Sequence, residues 1–215
     1  DLPFSEGADW VVIAGEQGED GSLWMCYRND IYRFNPDSHE LRKISTVTHW
    51  VDHMAVSGKN LWIGTQGYLY KMDTGTGEAE EVHLNDSIAL FHIYPGESEE
   101  EKVYITTSEG LFTVDPEEMT MSRVSGAGWD VRSMLSAKNG NFWLVAGGKL
   151  KLFDPENECL VPFPAETEFN IEGRSLQKIA RVGEDRIGLG GWAGVHFVSE
   201  SALLAPEVLG EVPVV

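Results

Sequence analysis

One pattern recurs along the chain and leaves few folds open to it. The segment Leu23-Trp-Met-Cys-Tyr27 returns as Leu61-Trp-Ile-Gly-Thr65, as Val103-Tyr-Ile-Thr-Thr107 and as Phe142-Trp-Leu-Val-Ala146, each followed by a short turn and a second apolar stretch. A weaker fifth copy runs from Arg186 to Ser199. Taking Trp24, Trp62, Tyr104, Trp143 and Ile187 as the same slot, the copies lie 38, 42, 39 and 44 residues apart. The mean of about 41 is the length of a supersecondary unit that cannot bury its own apolar face and must stack on its neighbours.

Each copy reads as strand, turn, strand. Its first stretch is apolar on both alternating faces, which suits a strand buried between two neighbouring sheets. The Gly, Asn and Ser residues that follow set a tight turn, and stretches such as Tyr68 to Met72 and Lys149 to Phe153 form the return strand. Asn35-Pro, Asp73-Thr-Gly, Asp115-Pro and Asp154-Pro then turn the chain, because the side-chain oxygen takes nearby backbone donors and proline presets φ. A short strand closes the unit, as at Leu41 to Ile44 and Val82 to Leu84. Another β-rich stretch precedes each copy: Trp10 to Ala14, Trp50 to Val56, Ile88 to Tyr94, Val131 to Leu135 and Leu176 to Val182. The expected fold is all-β, a five-bladed β-propeller of four-stranded antiparallel blades, forming one domain over 1–215 with units 10–48, 49–86, 87–127, 128–172 and 173–215. Ser199 to Leu209 has room for a helical turn, but Pro206 and the repeat phase favour strand.

The Leu61-Trp62-Ile63-Gly64-Thr65 run, with Gly67-Tyr68-Leu69 and Asp73, resembles the two-component regulator propeller repeat of bacterial hybrid histidine kinases. That resemblance implies a sensing propeller outside the cytoplasm, periplasmic or extracellular, which recognises a small ligand, often a carbohydrate, and passes a signal to attached domains. The family's rings commonly hold seven blades, against about five units here, and no kinase or immunoglobulin-like module is present in the sequence.

Propeller topology sorts the turns onto two rims. The turns after the first and third strands hold 18 of the 35 acids, from Glu16 and Glu19 to Glu184 and Asp185, against Lys59, Lys102 and Lys138. That rim is expected to be negative and chiefly a solvated face, with a cation or a basic protein partner as the sharper reading. A net charge of -19 also repels phosphate backbones, so nucleic acid is not an expected partner. No apolar run approaches the roughly 18 residues of a spanning helix, so membrane insertion is not expected.

The other rim interleaves rings with polar and cationic groups, the chemistry that stacks on the C–H faces of a sugar and bonds its hydroxyls. Its candidate ligand-binding residues are Arg28, Trp50, Asp52, Tyr68, Trp129, Arg132, Arg174 and Trp192. Trp24, Trp62 and Trp143 occupy the repeated slot and are assigned to the core. His49 and His53 do not make a metal pair in a strand, because i, i+4 spacing aligns ligands only on a helix. No metal or cofactor is expected, and His83, His92 and His196 are read as filling space between blades. Gly188 to Gly194 is read as a widened turn, since no helix follows to hold a phosphate. Cys26, in a strand slot, is read as a buried inert thiol.

A non-enzymatic binding or sensing propeller leads these readings. A carbohydrate-active enzyme is the alternative, with Asp9, Asp30, Asp52, Glu109 and Asp130 as candidate carboxylates for a glycosidase and a lyase resembling streptogramin lyase as the other form. A protein-interaction scaffold is the third.

Overall fold

The computed structural model describes residues 15–18, 20–95, 102–124, 126, 130–164 and 175–205. The chain divides into two compact units, one of residues 1–105 with 113–122 and the other of residues 106–112 with 123–215. It forms five antiparallel sheets in sequence order. The first holds β1 (Gly15–Gln17), β2 (Leu23–Tyr27), β3 (Asp30–Asn35) and β4 (Glu40–Thr46). The second holds β5 (Val51–Ser57), β6 (Asn60–Thr65), β7 (Tyr68–Asp73) and β8 (Ala79–His83), and the third β9 (Leu90–Tyr94), β10 (Val103–Thr107), β11 (Gly110–Asp115) and β12 (Thr120–Arg123). The fourth is β13 (Val131–Ser136), β14 (Phe142–Ala146), β15 (Lys149–Asp154) and β16 (Cys159–Val161). The fifth has three strands, β17 (Leu176–Arg181), β18 (Arg186–Gly191) and β19 (Gly194–Ser199), followed by a helix, α1 (Glu200–Leu204). The expected first strand at Trp10 to Ala14 lies outside the described residues.

The second strand of a sheet is its most buried element. Every residue of β6 and β10 is buried, and so are four of the five in β14. Alternation sends Trp24 and Cys26 of β2 one way, and they cluster with Leu61, Ile63, Tyr70 and Met72 of the second sheet. The other face of β6 carries Trp62 and Gly64, and a Cβ on Gly64 would lie only 2.7 Å from Leu90 of β9, so this glycine lets the third sheet close in. In the second unit Trp143, Val145, Leu150 and Leu152 cluster with Ile179, Ile187, Leu189 and Val198. Trp24, Trp62 and Trp143 are all buried, as their slot predicts, and so is Cys26.

The register corrects one reading of the repeat. Trp62 pairs with Lys71, Trp143 with Leu152, and the equivalent pair in the fifth sheet is Gly188 with Phe197. Gly188 therefore takes the tryptophan slot, while Ile187 matches Leu61. The glycines up to Gly191 are strand residues, and the turn is the two residues Trp192 and Ala193, not a widened loop.

The turns after the third strands are congruent. Oδ1 of Asn35 accepts from the amides of Asp37 and Ser38, Asp73 from Gly75 and Thr76, Asp115 from Glu117 and Glu118, and Asp154 from Glu156 and Asn157. The fifth residue of each turn is left-handed: His39 at φ +57°, Gly77 at +77°, Met119 at +51° and Glu158 at +49°. Ser199 fills the equivalent cap position in the fifth copy. Its hydroxyl accepts from the Ala202 amide, and Asp185 accepts from the Ser199 hydroxyl and the Ser201 amide, so the chain enters a helix where strand was expected.

That helix places Glu200 in the second unit's core, where its side chain is fully buried. Oε1 accepts from Trp143 Nε1 at 2.9 Å and from the Lys138 amide at 3.1 Å, and Arg181 donates to Oε2 at 2.7 Å. Burial pushes this carboxyl up, but the bonds from Arg181, Trp143 and Lys138 prevail and hold it below the usual carboxylate range. A lowered folded value means that the stabilisation is present above the unfolded value of about 4.3 and is lost as pH falls through the folded one. Glu200→Gln is expected to cost about 3 kcal/mol, the order found when one partner of a buried pair is removed. Chemical denaturation across acid pH checks this: the variant should lose less stability than the parent between pH about 5 and 3.

Candidate ligand-binding site

The first strand of a sheet repeatedly carries a β-bulge at its second residue. The register shifts between Val51 and His53 in β5, between Val131 and Ser133 in β13, and between Leu176 and Lys178 in β17. The extra residues are Asp52, Arg132 and Gln177, and a bulge re-aims the side chain it carries. Two of these were candidates from sequence. Gln177 was missed, and its signal was its register with the other two.

In the second unit the bulges build a fixed guanidinium. Arg132 Nε donates to Asp130 Oδ2 at 2.8 Å, and its NH1 donates to Gln177 Oε1 at 2.7 Å. Gln177 Nε2 donates to Ser175 Oγ at 3.1 Å, while the Ser175 carbonyl accepts from the Trp192 amide at 3.3 Å. Asp130 has a left-handed backbone at φ +52°, held by its amide on the Ser108 carbonyl and by the Gly147 amide on its own carbonyl. Arg132, Gln177 and Trp192 are thus linked through Ser175, and the Trp192 ring is 83% exposed. Trp129 and Arg174 lie outside the described residues.

In the first unit Trp50 is 65% exposed. The Arg28 guanidinium stands 5.9 Å from its ring and 5.3 Å from that of Tyr27. The turn holding Arg28, itself left-handed at φ +58°, is tied down by the Val51 amide on the Arg28 carbonyl and the Val47 amide on the Asn29 carbonyl. Burial by surrounding protein raises the Asp52 carboxyl above its ordinary range. Tyr68 stacks with His49 at 4.2 Å and with His83 at 4.6 Å, so its ring is engaged on both sides by imidazoles. His83 is exposed and pairs with Asp86 at 2.8 Å instead of filling space between blades. His49 Nδ1 lies 3.2 Å from the Tyr70 hydroxyl, and His53 meets His92 edge to face at 5.8 Å. Among the described residues no group of three or more His, Cys, Asp or Glu could hold a metal ion.

Three concavities in the first unit lie toward the opposite rim. One of about 600 Å³ is lined by Lys59, Asn60, Lys71, Asp73, Glu78 and Glu80, and one of about 300 Å³ by Asp20, Trp24, Arg33, Lys59 and Thr74 among others. The third, about 170 Å³, includes Arg33, Glu40 and Arg42. Strand residues such as Arg33 and Lys71 bring bases to a rim whose turns alone read as acidic. Arg33 pairs with Asp20, and Lys71 donates to the Pro116 carbonyl at 2.7 Å.

No protein-family model matches the sequence, and no curated protein matches it. Solved structures do. The β-propeller domain of Cps50 (Swd1) from Myceliophteria thermophila aligns at a TM-score of 0.74 and 11% identity, over 96% of this chain and 71% of that one. Virginiamycin B lyase from Staphylococcus aureus aligns at 0.71 and 12%, over 97% and 71%. The extracellular domain of a putative hybrid two component system from B. thetaiotaomicron aligns at 0.67 and 17%, over 86% of this chain and 26% of that one. At these identities the likeness establishes the fold, a β-propeller, whose strands the five antiparallel sheets supply. Among the described residues no helix is long and apolar enough to cross a membrane.

Gly191 gives the second-unit cluster a direct test. A Cβ there would stand 2.5 Å from the Ser175 carbonyl oxygen and 3.2 Å from the Leu176 Cα, both backbone. Gly191→Ala is expected to displace Ser175 and to cost about 1–3 kcal/mol. Gly183→Ala, where the nearest atom is Arg186 Cβ at 4.0 Å, should leave the melting midpoint unchanged.

Proposed function

We propose that this chain is a non-enzymatic, ligand-binding or sensing propeller, which takes a small polar ligand of the carbohydrate class outside the cytoplasm. The observation that carries the reading is the Arg132 guanidinium, held by Asp130 and Gln177 and tied through Ser175 to the exposed Trp192. A pre-oriented planar donor and an exposed indole, which Ser175 ties together through Gln177 and the Trp192 backbone amide, suit a sugar, with hydroxyls on the guanidinium and a C–H face on the indole. In the first unit Trp50, Arg28 and Asp52, with Tyr68 behind His49, form a second surface of similar chemistry. The sensing role is supported by the shared repeat pattern and by the fold shared with the extracellular domain of a putative hybrid two component system. Trp129 and Arg174 belong to the proposed set from sequence alone.

One observation favours a second reading. Asp52, though exposed on its bulge, has its carboxyl raised by partial desolvation from the surrounding protein, the direction a general acid needs, and the fold is shared with a lyase.

A thermal-shift screen against a panel of oligosaccharides, followed by incubation and product analysis, separates the two. The binding reading expects a raised melting midpoint with at least one sugar and an unchanged sugar afterwards. Trp192→Ala and Arg132→Ala should each weaken binding about tenfold, the effect of losing one stacking or charged hydrogen-bonding contact of about 1.4 kcal/mol. A panel without any shift overturns carbohydrate binding. A modified sugar, with the modification lost in Asp52→Asn, replaces binding with catalysis.

A further inference from the structure

In the second unit the tryptophan of the repeated slot gives its indole N–H to a carboxylate that the chain itself supplies. Trp143 Nε1 donates to Glu200, and Arg181 holds the same carboxylate. The first unit lacks that group at the corresponding place. The caps Asp73 and Ser199 correspond, so Thr74 stands where Glu200 does. Each donates its amide to the carbonyl just ahead of its sheet's second strand, Thr74 to Lys59 and Glu200 to Asp185. The Thr74 hydroxyl turns back onto the Lys59 carbonyl at 2.9 Å. Val56, paired with Leu61, takes the place of Arg181, paired with Ile187. Where the second unit has a carboxylate and its guanidinium, the first has the cavity of about 300 Å³, lined by Trp24, Val56, Lys59 and Thr74 among others.

The cavity keeps the indole donor. Trp24 is 2% exposed, and among the described residues nothing accepts from its Nε1. A Cβ on Gly18 would stand 3.3 Å from that nitrogen and 3.0 Å from Asp20 Oδ1 and Ser22 Oγ, so the N–H lies at the wall these residues form. An indole N–H can only donate, and leaving it buried without an acceptor costs free energy. Positive charge reaches the cavity from positions the second unit does not use. Arg33, opposite Trp24 in the ladder, holds its guanidinium 5.6 Å from the ring, and Lys59 lines the same space. Arg33 pairs with Asp20 through one of its terminal nitrogens, and a guanidinium has five donors. Asp20 at that wall repels a doubly charged anion more than a singly charged one.

We propose that this cavity binds a small organic monocarboxylate, its oxygens on Trp24 Nε1 and the Arg33 guanidinium and its body against Val56. The ligand supplies in the first unit what Glu200 supplies in the second. The site is separate from the surface of Trp50, Arg28 and Asp52 and does not depend on sugar binding there.

Titration of the intact, isotope-labelled protein with sodium propionate at constant ionic strength, read at the Trp24 indole N–H resonance, tests this, with propionamide and inorganic phosphate as controls. A saturable shift with propionate and none with propionamide is expected. Arg33→Gln should raise the Kd for propionate about tenfold, the effect of losing one charged hydrogen bond. Lys59→Gln takes its place should Arg33→Gln lower the melting midpoint. Thr74→Glu should raise the melting midpoint and abolish the response, because its carboxylate comes from the position of Glu200. A Trp24 resonance indifferent to propionate overturns the proposal. So does an equal response to phosphate or propionamide, or an undiminished propionate response in Thr74→Glu.

Discussion

Burying both faces of the second strand is the constraint on which the rest of the structure depends. A strand such as β6, apolar at Leu61 and Ile63 on one side and at Trp62 on the other, cannot be satisfied by its own sheet. It needs a sheet before it and a sheet behind it, and this is why sheets stack face to face within each unit. The details follow from that demand. Gly64 is small because Leu90 comes close, and the repeated slot is large because it has to fill the space to the following sheet.

Stacking also fixes where chemistry can sit. With both faces of the second strand committed, variable side chains are left to the turns and to the first strand's bulge. The bulge places residues of different character, Asp52, Arg132 and Gln177, at one structural position. The turns are self-sufficient, each closed by a side-chain oxygen on two backbone amides, so sequence beyond the cap is free to vary. The fifth copy uses the same position differently. Ser199 in place of aspartate or asparagine, with Asp185 beside it, starts a helix that carries Glu200 to Trp143.

Much of the fold was legible because its signals are local. Slot spacing, two-sided apolar runs and Asx turns each act within a few residues, and they located the second and third strands of every sheet. What was not legible depended on pairing. The sequence alone aligned Ile187 with the tryptophans, and only the Gly188–Phe197 register shows the glycine there. The helix was missed because its cap partner, Asp185, is 14 residues from Ser199. In the candidate site, Arg132 and Trp192 could be named from residue type, but Gln177 and Ser175 could not, because they matter through what they hold. Tyr68 is a candidate ligand contact by residue type, and the imidazoles of His49 and His83 stacked on it come from separate stretches of chain.

The acidic turns change what the composition says about charge. Asp73 and Asp115 are held below the ordinary range chiefly by backbone amides, Asp154 by Asn157, Asp20 by Ser22, and Asp185 by Lys138 and two serines. Asp30 and Glu200 are lowered as well, by bonds that outweigh their burial, while Asp52 moves the other way. Seven carboxylates therefore release their protons only in stronger acid once folded than the free side chains would, that is, they stay ionised to lower pH. Among the described residues, therefore, the turns that close each sheet hold their negative charge further into acid than the same side chains would in an unfolded chain.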